Sequence, residues 1–135
     1  MQIPQELVEE MVAHALRDAP NECCGLVAVA AAEDGGVRRA AKVQATENVV
    51  ASPLRFEIDG LQAYRTIEQF EQEGLQLGAI YHSHTRSKPY PSQTDINFAR
   101  SWPGIEWVII GVADRERPEV RSYLIDGAEV KEIAS

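Results

Sequence analysis

Two histidines in the second half of the chain, His82 and His84, are separated by a single serine. The chain contains only 3 histidines, so most of its imidazole groups are concentrated at this point. In an extended strand, residues two apart point to the same face with Cα atoms about 6.5 to 7 Å apart, so the two imidazoles can bind one ion. Taken alone, the pair is equally consistent with exposed or hydrogen-bonded histidines at a strand end.

A metal site of this kind needs a third ligand, because a catalytic zinc usually takes three protein ligands and keeps one position for water. Asp95 is the candidate, since a strand, a tight loop and a helix start can bring its carboxylate back to the strand end. Ser92 and Asp95 are also spaced as a helix capping box, with Ser92 as the N-cap. The two roles compete for the same carboxylate oxygens, so we expect a metal-binding Asp95 to be a weaker cap.

The full pattern is H-x-H, seven residues, Ser, two residues and Asp, and it is filled by His82, His84, Ser92 and Asp95. It resembles the JAMM motif of the MPN+ metalloprotease family, whose members are zinc isopeptidases and peptidases acting on ubiquitin and ubiquitin-like proteins. That family also places a catalytic glutamate on or just before an early strand, and Glu22 occupies this position. The resemblance covers most of the chain.

The resemblance implies one zinc ion per chain, bound by His82, His84 and Asp95. It also implies that Glu22 is the general acid and base and that Ser92 stabilises the tetrahedral intermediate. By itself Glu22 is consistent with a solvated loop residue, and only the downstream motif gives it a role. The chemistry of these groups agrees with the implied roles. Zinc makes bound water more acidic and polarises a carbonyl group. The Glu22 carboxylate can carry a proton, and the Ser92 hydroxyl can donate a hydrogen bond to an oxyanion.

The chain departs in two ways from the pattern of the eukaryotic deubiquitinases. Thr85 follows the second histidine where those enzymes usually have proline, and 135 residues leave little room for insertions that grip two ubiquitins. The stretch 82–95 instead resembles the small prokaryotic branch, whose Mec-type peptidases remove cysteine from the C-terminus of a ubiquitin-like sulfur-carrier protein. The resemblance implies hydrolysis after the C-terminal Gly-Gly of such a carrier, its tail extended along a sheet edge. The leaving group stays open: cysteine, another amino acid or a lysine-linked protein.

The loop after the histidines is basic, although the chain has a formal net charge of -8. The stretch 82–100 contains Arg86, Lys88 and Arg100 against the single Asp95. We expect Arg86 or Lys88 to attract an acidic carrier surface or the carboxylate of a released amino acid, with a solvated polar loop as the alternative. The acidic total disfavours nucleic-acid binding.

The two cysteines, Cys23 and Cys24, are adjacent, so a disulfide between them would strain the backbone, and a reducing compartment is favoured. Thiolates bind zinc well and these lie beside Glu22, but as small apolar residues opening a buried strand they need no further role. His14 is expected in the first helix without a catalytic part. No signal-like segment and no membrane-length apolar run occurs, so we expect a cytoplasmic chain that binds no membrane.

The hydrophobic pattern places these residues in one domain spanning 1–135. Helices are predicted over 4–18, 61–73 and 92–101. Strands are predicted over 24–31, 37–44, 54–58, 76–84, 106–113, 120–125 and 130–133, with turns at 34–36 and 126–127. The expected fold is a single MPN-like α/β (α+β) domain with a mixed central β-sheet flanked by helices.

Two other classes of function remain possible at this point. MPN domains without the metal motif serve as protein-interaction modules, so a non-catalytic MPN-type module is the chief alternative to an enzyme. A zinc nucleoside deaminase would use related metal chemistry, but its H-x-E and P-C-x-x-C signatures are absent from the sequence. The zinc content of the purified protein separates the enzyme from the module. The sequence does not indicate an oligomeric state.

Overall fold

The computed structural model describes residues 1–30 and 37–133, which form three α-helices and six β-strands. The helices are α1 (Gln5–Asp18), α2 (Gly60–Gln72) and α3 (Gln93–Ala99). The strands are β1 (Cys24–Ala30), β2 (Ala40–Thr46), β3 (Leu75–His84), β4 (Glu106–Gly111), β5 (Glu119–Asp126) and β6 (Glu129–Ile133). The turn predicted at 34–36 lies outside the described residues.

The strands form one mixed sheet in the order β2-β1-β3-β4-β5-β6. β3 and β4 run parallel, whereas every other neighbouring pair runs antiparallel. The central strands β1, β3 and β4 are buried over most of their length, which explains their nearly continuous apolar sequences. β2 and β6 are the two edges of the sheet.

The helices cover both faces of the sheet. Under α1, the core is built from apolar residues of helix and strands, including Met11, Ala15, Val27, Tyr81 and Val108. On the opposite face, α2 and α3 pack on a second set, including Leu26, Phe70, Ile80, Ala99 and Ile109. The predicted mixed sheet flanked by helices is confirmed.

The helix boundaries follow local signals. Before α2, the Asp59 side chain accepts a hydrogen bond from the Gln62 N–H at 3.0 Å, as an N-cap does. After α2, Gly74 adopts a φ of 78°, a left-handed conformation that costs glycine little. None of the helices described is both long and apolar enough to cross a membrane.

The segment 54–58, predicted as a strand, is not one. Its backbone groups bind a side chain instead of a neighbouring strand: Asn48 Nδ2 donates to the Arg55 carbonyl at 3.1 Å, and Asn48 Oδ1 accepts the Glu57 N–H at 3.1 Å. An asparagine amide competes in this way with regular pairing. We call residues 48–58 the Asn48 loop.

Candidate functional site

His82 and His84 lie at the C-terminal end of β3, in the middle of the sheet. β1 runs antiparallel to β3 and pairs Cys24 with His82. Glu22 precedes Cys24 by two residues and therefore lies at the same end of the sheet. The topology thus brings an early glutamate to two histidines that are distant in sequence.

The loop between β3 and α3 is anchored to β3 and β4. Pro89 lies so close to β4 that a Cβ on Gly111 would come within 2.9 Å of the proline ring, which favours glycine at this position. The Lys88 carbonyl accepts a hydrogen bond from His84 Nδ1 at 2.8 Å. A carbonyl can only accept, so Nδ1 carries the proton, and in the neutral imidazole the Nε2 lone pair is free for a ligand.

Three side-chain atoms meet at the centre of the site: His82 Nε2, His84 Nε2 and Asp95 Oδ2. The two nitrogens are 3.1 Å apart, and each is 3.1 Å from the carboxylate oxygen. A tetrahedral zinc with bonds of about 2.0 to 2.1 Å holds its ligand atoms about 3.3 to 3.4 Å apart. The triangle is therefore close to the size that zinc requires, and its residues are 0%, 4% and 4% exposed.

Glu22 lies beside this triangle. Its carboxylate and the two imidazoles have potential ligand atoms within 4.8 Å of one another, so Glu22 is a second carboxylate able to reach an ion. Asp95 is the other candidate for third ligand, and its Oδ2 is 3.1 Å from both imidazole nitrogens. Glu22 Oε1 is buried and accepts no hydrogen bond from residues 1–30 or 37–133, so this oxygen still requires a partner.

The surroundings set the charges of these groups. Burial raises the pKa of Glu22 to about 8, opposed by His84 and assisted by Asp95. Burial lowers the pKa of His82, which favours the neutral imidazole that binds metal. Burial would raise the pKa of Asp95, but His82, His84 and the Ser92 N–H outweigh it and hold that pKa below its usual value. Imidazoles beside an ionised carboxylate are a donor set that fits zinc.

Asp95 caps α3 and also meets the histidines. Its Oδ2 accepts the Ser92 N–H at 2.9 Å, while Ser92 Oγ accepts the Asp95 N–H at 3.1 Å. The capping box is complete, and the same oxygen also reaches both imidazoles. The weaker cap expected of a metal-binding Asp95 stays a prediction. Ser92 is exposed and uses its oxygen as an acceptor, so its O–H is free to donate.

Phe56 is a site residue that the sequence did not indicate. Its ring stacks on the His82 imidazole with centroids 4.4 Å apart and planes inclined by 25°. His82 Nδ1 is buried and has no hydrogen-bond partner in the described part of the chain, so stacking on Phe56 adds to the Nε2 contacts in orienting this ring. The only signal at Phe56 was its place in the wrongly predicted strand 54–58. The Lys88 carbonyl, which fixes His84, carried no sequence signal either.

Arg86 and Lys88 are exposed on the loop between β3 and α3. With Arg117 they line a groove of about 350 Å³, and neither forms an ion pair with another described residue. A larger groove of about 680 Å³ lies between β2 and α2, and none of the residues that line it belongs to the triangle. The structure thus leaves two cations beside the site available to a partner.

Cys23 and Cys24 are buried free thiols. Burial raises the pKa of Cys23 to about 12 and that of Cys24 to about 11, so both stay protonated near neutral pH. Thr46 lies 3.4 Å from the Cys24 sulfur, through its hydroxyl. The burial and protonation of both thiols agree with a packing role.

The family model of prokaryotic homologs of the JAB domain matches residues 4–126 of the chain. The chain belongs to this family. Similarity to a solved structure agrees: the fold matches the crystal structure of a JAB1/MPN domain protein from Archaeoglobus fulgidus with a TM-score of 0.62 and 17% identity, over 99% of this chain and 95% of that one. The predicted membership in the JAMM/MPN+ family, in its prokaryotic branch, is confirmed.

Two similar proteins have names that state a function. The chain is 37% identical over 134 residues to the CysO-cysteine peptidase of Mycobacterium tuberculosis, covering 96% of this chain and 86% of that protein. It is 39% identical over 130 residues to the probable TtuB-protein conjugate cleaving protease of Thermus thermophilus, covering 95% of this chain and 78% of that protein. Both similarities extend through the triangle and Glu22.

Proposed function

We propose that this member of the prokaryotic JAB family is a zinc peptidase or isopeptidase. Its substrate is the amide bond after the C-terminal Gly-Gly of a ubiquitin-like or sulfur-carrier protein. The observation that carries the proposal is the triangle of His82, His84 and Asp95 beside the buried Glu22. Similarity to a CysO-cysteine peptidase and to a TtuB-protein conjugate cleaving protease supports this substrate class. An interaction module would not need buried donors that converge on one point.

In this proposal His82, His84 and Asp95 hold one zinc ion. When bound, zinc supplies Lewis acidity, which makes water a stronger acid and polarises a carbonyl group. The chain orients each ligand separately: the Lys88 carbonyl fixes His84, the α3 cap fixes Asp95, and Phe56 fixes His82. The ligand geometry is therefore built into the fold.

Glu22 and Ser92 perform the proton transfer and the charge stabilisation. In its ionised form, which the positive charge of a bound zinc ion would favour, the Glu22 carboxylate takes a proton from the attacking water and delivers it to the leaving nitrogen as the C–N bond breaks. The free O–H of Ser92 donates to the oxyanion that develops on the carbonyl oxygen. Removal of one such donor costs about 10² to 10³ in rate in other enzymes.

The proposed activity is tested by incubating the zinc-loaded protein with carriers extended past Gly-Gly by cysteine, by another amino acid or by a lysine-linked protein. Mass spectrometry identifies the product and hence the leaving group. Glu22→Ala should slow turnover by about 10² to 10⁴ while zinc content is unchanged, because Glu22 moves protons and does not bind the metal. Cleavage by Glu22→Ala at the wild-type rate would contradict this assignment.

We assign Arg86 and Lys88 to attraction of an acidic carrier surface or of a released carboxylate. Charge reversal at both positions, Arg86→Glu with Lys88→Glu, should lower kcat/KM by about 10-fold at low salt, and less as salt rises. A matched control reverses Arg38 and Arg39, which precede β2 at the opposite end of the sheet. Equal kcat/KM at every salt concentration for the first pair and wild type would exclude this role.

A further inference from the structure

Among the residues described, the Asn48 side chain forms no hydrogen bond with the triangle, yet its amide joins Glu22 to the Asn48 loop. The side chain is buried, and Nδ2 donates to the Glu22 carbonyl at 3.0 Å and to the Arg55 carbonyl at 3.1 Å. Oδ1 accepts the N–H groups of Val50 at 3.3 Å and Glu57 at 3.1 Å. These four hydrogen bonds use both donors and both lone pairs of the amide.

The Asn48 loop also binds the other main-chain group of Glu22, its N–H. The Glu22 N–H donates to the Ser52 carbonyl at 2.9 Å, and the Glu22 carbonyl accepts from Asn48. Strand pairing of β1 begins at Cys24, and Ser83 on β3 binds the N–H and the carbonyl of the neighbouring Cys23. The N–H and the carbonyl of Glu22 itself bind the loop that Asn48 organises.

We infer that Asn48 is a positioning residue for Glu22. Its catalytic consequence rests on the proposed function, because Glu22 must place its carboxylate beside the triangle to carry protons. A displacement of about 1 Å in a reacting group can cost about 10²-fold in rate. None of the four hydrogen bonds of Asn48 reaches His82, His84 or Asp95, so Asn48 acts through Glu22.

Two variants remove different parts of this contact. Asn48→Ala removes all four hydrogen bonds. Asn48→Asp keeps the accepting oxygen and removes the two donated hydrogen bonds, to the carbonyls of Glu22 and Arg55. The matched control is Thr46→Val. Thr46 is buried on β2 and donates to the Cys24 carbonyl at 3.0 Å, so it is a similar buried hydrogen bond that does not touch Glu22.

Amide hydrogen exchange at Glu22 measures how firmly the Glu22 N–H is held, and it needs no substrate. Both Asn48 variants should speed exchange of the Glu22 N–H by about 10-fold or more, because its partner Ser52 lies in the released loop. Exchange at Leu26, inside β1, should stay as in the wild type, and Thr46→Val should leave Glu22 unchanged. Unaltered exchange at Glu22 in the Asn48 variants overturns the inference, whether or not the preparation turns over a carrier.

Kinetics test whether the positioning matters to the reaction. In active protein, Asn48→Asp should lower kcat by about 10- to 100-fold with KM and zinc content near wild type. Adding Asn48→Asp to Glu22→Ala should cause no further loss, since a residue acting only through Glu22 has no effect once that carboxylate is gone. A wild-type kcat for Asn48→Asp, or a further loss in the double variant, contradicts the inference. If the wild-type protein cleaves no carrier conjugate, the proposed function fails, and hydrogen exchange still decides the role of Asn48.

Discussion

The buried histidines lie on opposite faces of one sheet: His14 on one face, His82 and His84 on the other. Tyr81, which contacts His14, and its neighbour His82 point to opposite faces of β3. Under α1, His14 uses both ring nitrogens: Nδ1 is 2.7 Å from the Tyr81 hydroxyl, and Nε2 is 3.1 Å from Asp18. On the other face, His82 and His84 direct their Nε2 atoms toward each other and toward one carboxylate oxygen.

The difference between the two groups separates a structural cluster from a ligand site. His14 has a partner for each nitrogen, so its cluster is complete within the protein. In the second group, His82 Nδ1 and Glu22 Oε1 are buried and have no hydrogen-bond partner among the residues described. Burial therefore does not identify a metal site by itself. The second group differs in that three ligand-type atoms converge on one point.

The largest effect should come from removing one corner of the triangle. His84→Ala should abolish stoichiometric zinc binding and reduce carrier cleavage to background, because two ligands do not hold a catalytic zinc ion. Elemental analysis and a mass-based cleavage assay measure both outcomes. Retention of one zinc ion per chain in this variant would show that the triangle is not the metal site.

The matched variant on the other face is His14→Ala. It should keep zinc and kcat, but lose about 1 to 3 kcal/mol of unfolding free energy, because the Tyr81 hydroxyl is left buried without its partner. Chemical denaturation gives the stability. Loss of zinc in His14→Ala would show that zinc binding also depends on the face that carries His14.

An intermediate effect is expected from Asp95→Asn, which separates capping from metal binding. The amide oxygen can still accept the Ser92 N–H, so the Tm of the metal-free protein should change little. Loss of the negative charge should weaken zinc binding by about 100-fold or more, as measured by competition with a chelator. Unchanged zinc affinity would make Asp95 a helix cap only.

The smallest effect should follow from Phe56→Leu, which keeps an apolar side chain but removes the ring stacked on His82. Because stacking is one of the contacts that orient this imidazole, zinc affinity should fall by about 10-fold. Phe70→Leu is the control, since Phe70 is a buried ring in the same core cluster that does not stack on a ligand. If both variants bind zinc equally well, the ring of Phe56 does not orient His82.

The triangle could be predicted because its residues belong to a short local pattern. His82 and His84 end a strand, and Asp95 starts the next helix, so strand geometry and one tight loop bring them together. His14 lies in α1, as its place in the first predicted helix indicated. Glu22 required the family pattern, since nothing local distinguishes it from a solvated glutamate.

The Asn48 loop could not be predicted, for a physical reason. Its alternation of apolar residues over 54–58 is typical of a strand, but the loop's hydrogen bonds are taken by one asparagine side chain. Whether a side chain or a neighbouring strand takes these bonds depends on tertiary contacts, as does the stacking of Phe56 on His82. Tertiary packing also decides that one Asp95 oxygen both caps α3 and reaches the two imidazoles.

The face of the sheet that carries His82, His84 and Asp95 is expected to bind zinc. The most direct measurement is the zinc content of the purified wild-type protein, before and after reconstitution, with His84→Ala and His14→Ala measured in parallel. We expect one zinc ion per chain in the wild type and in His14→Ala, and none in His84→Ala. A wild-type protein that binds no zinc after reconstitution would contradict it.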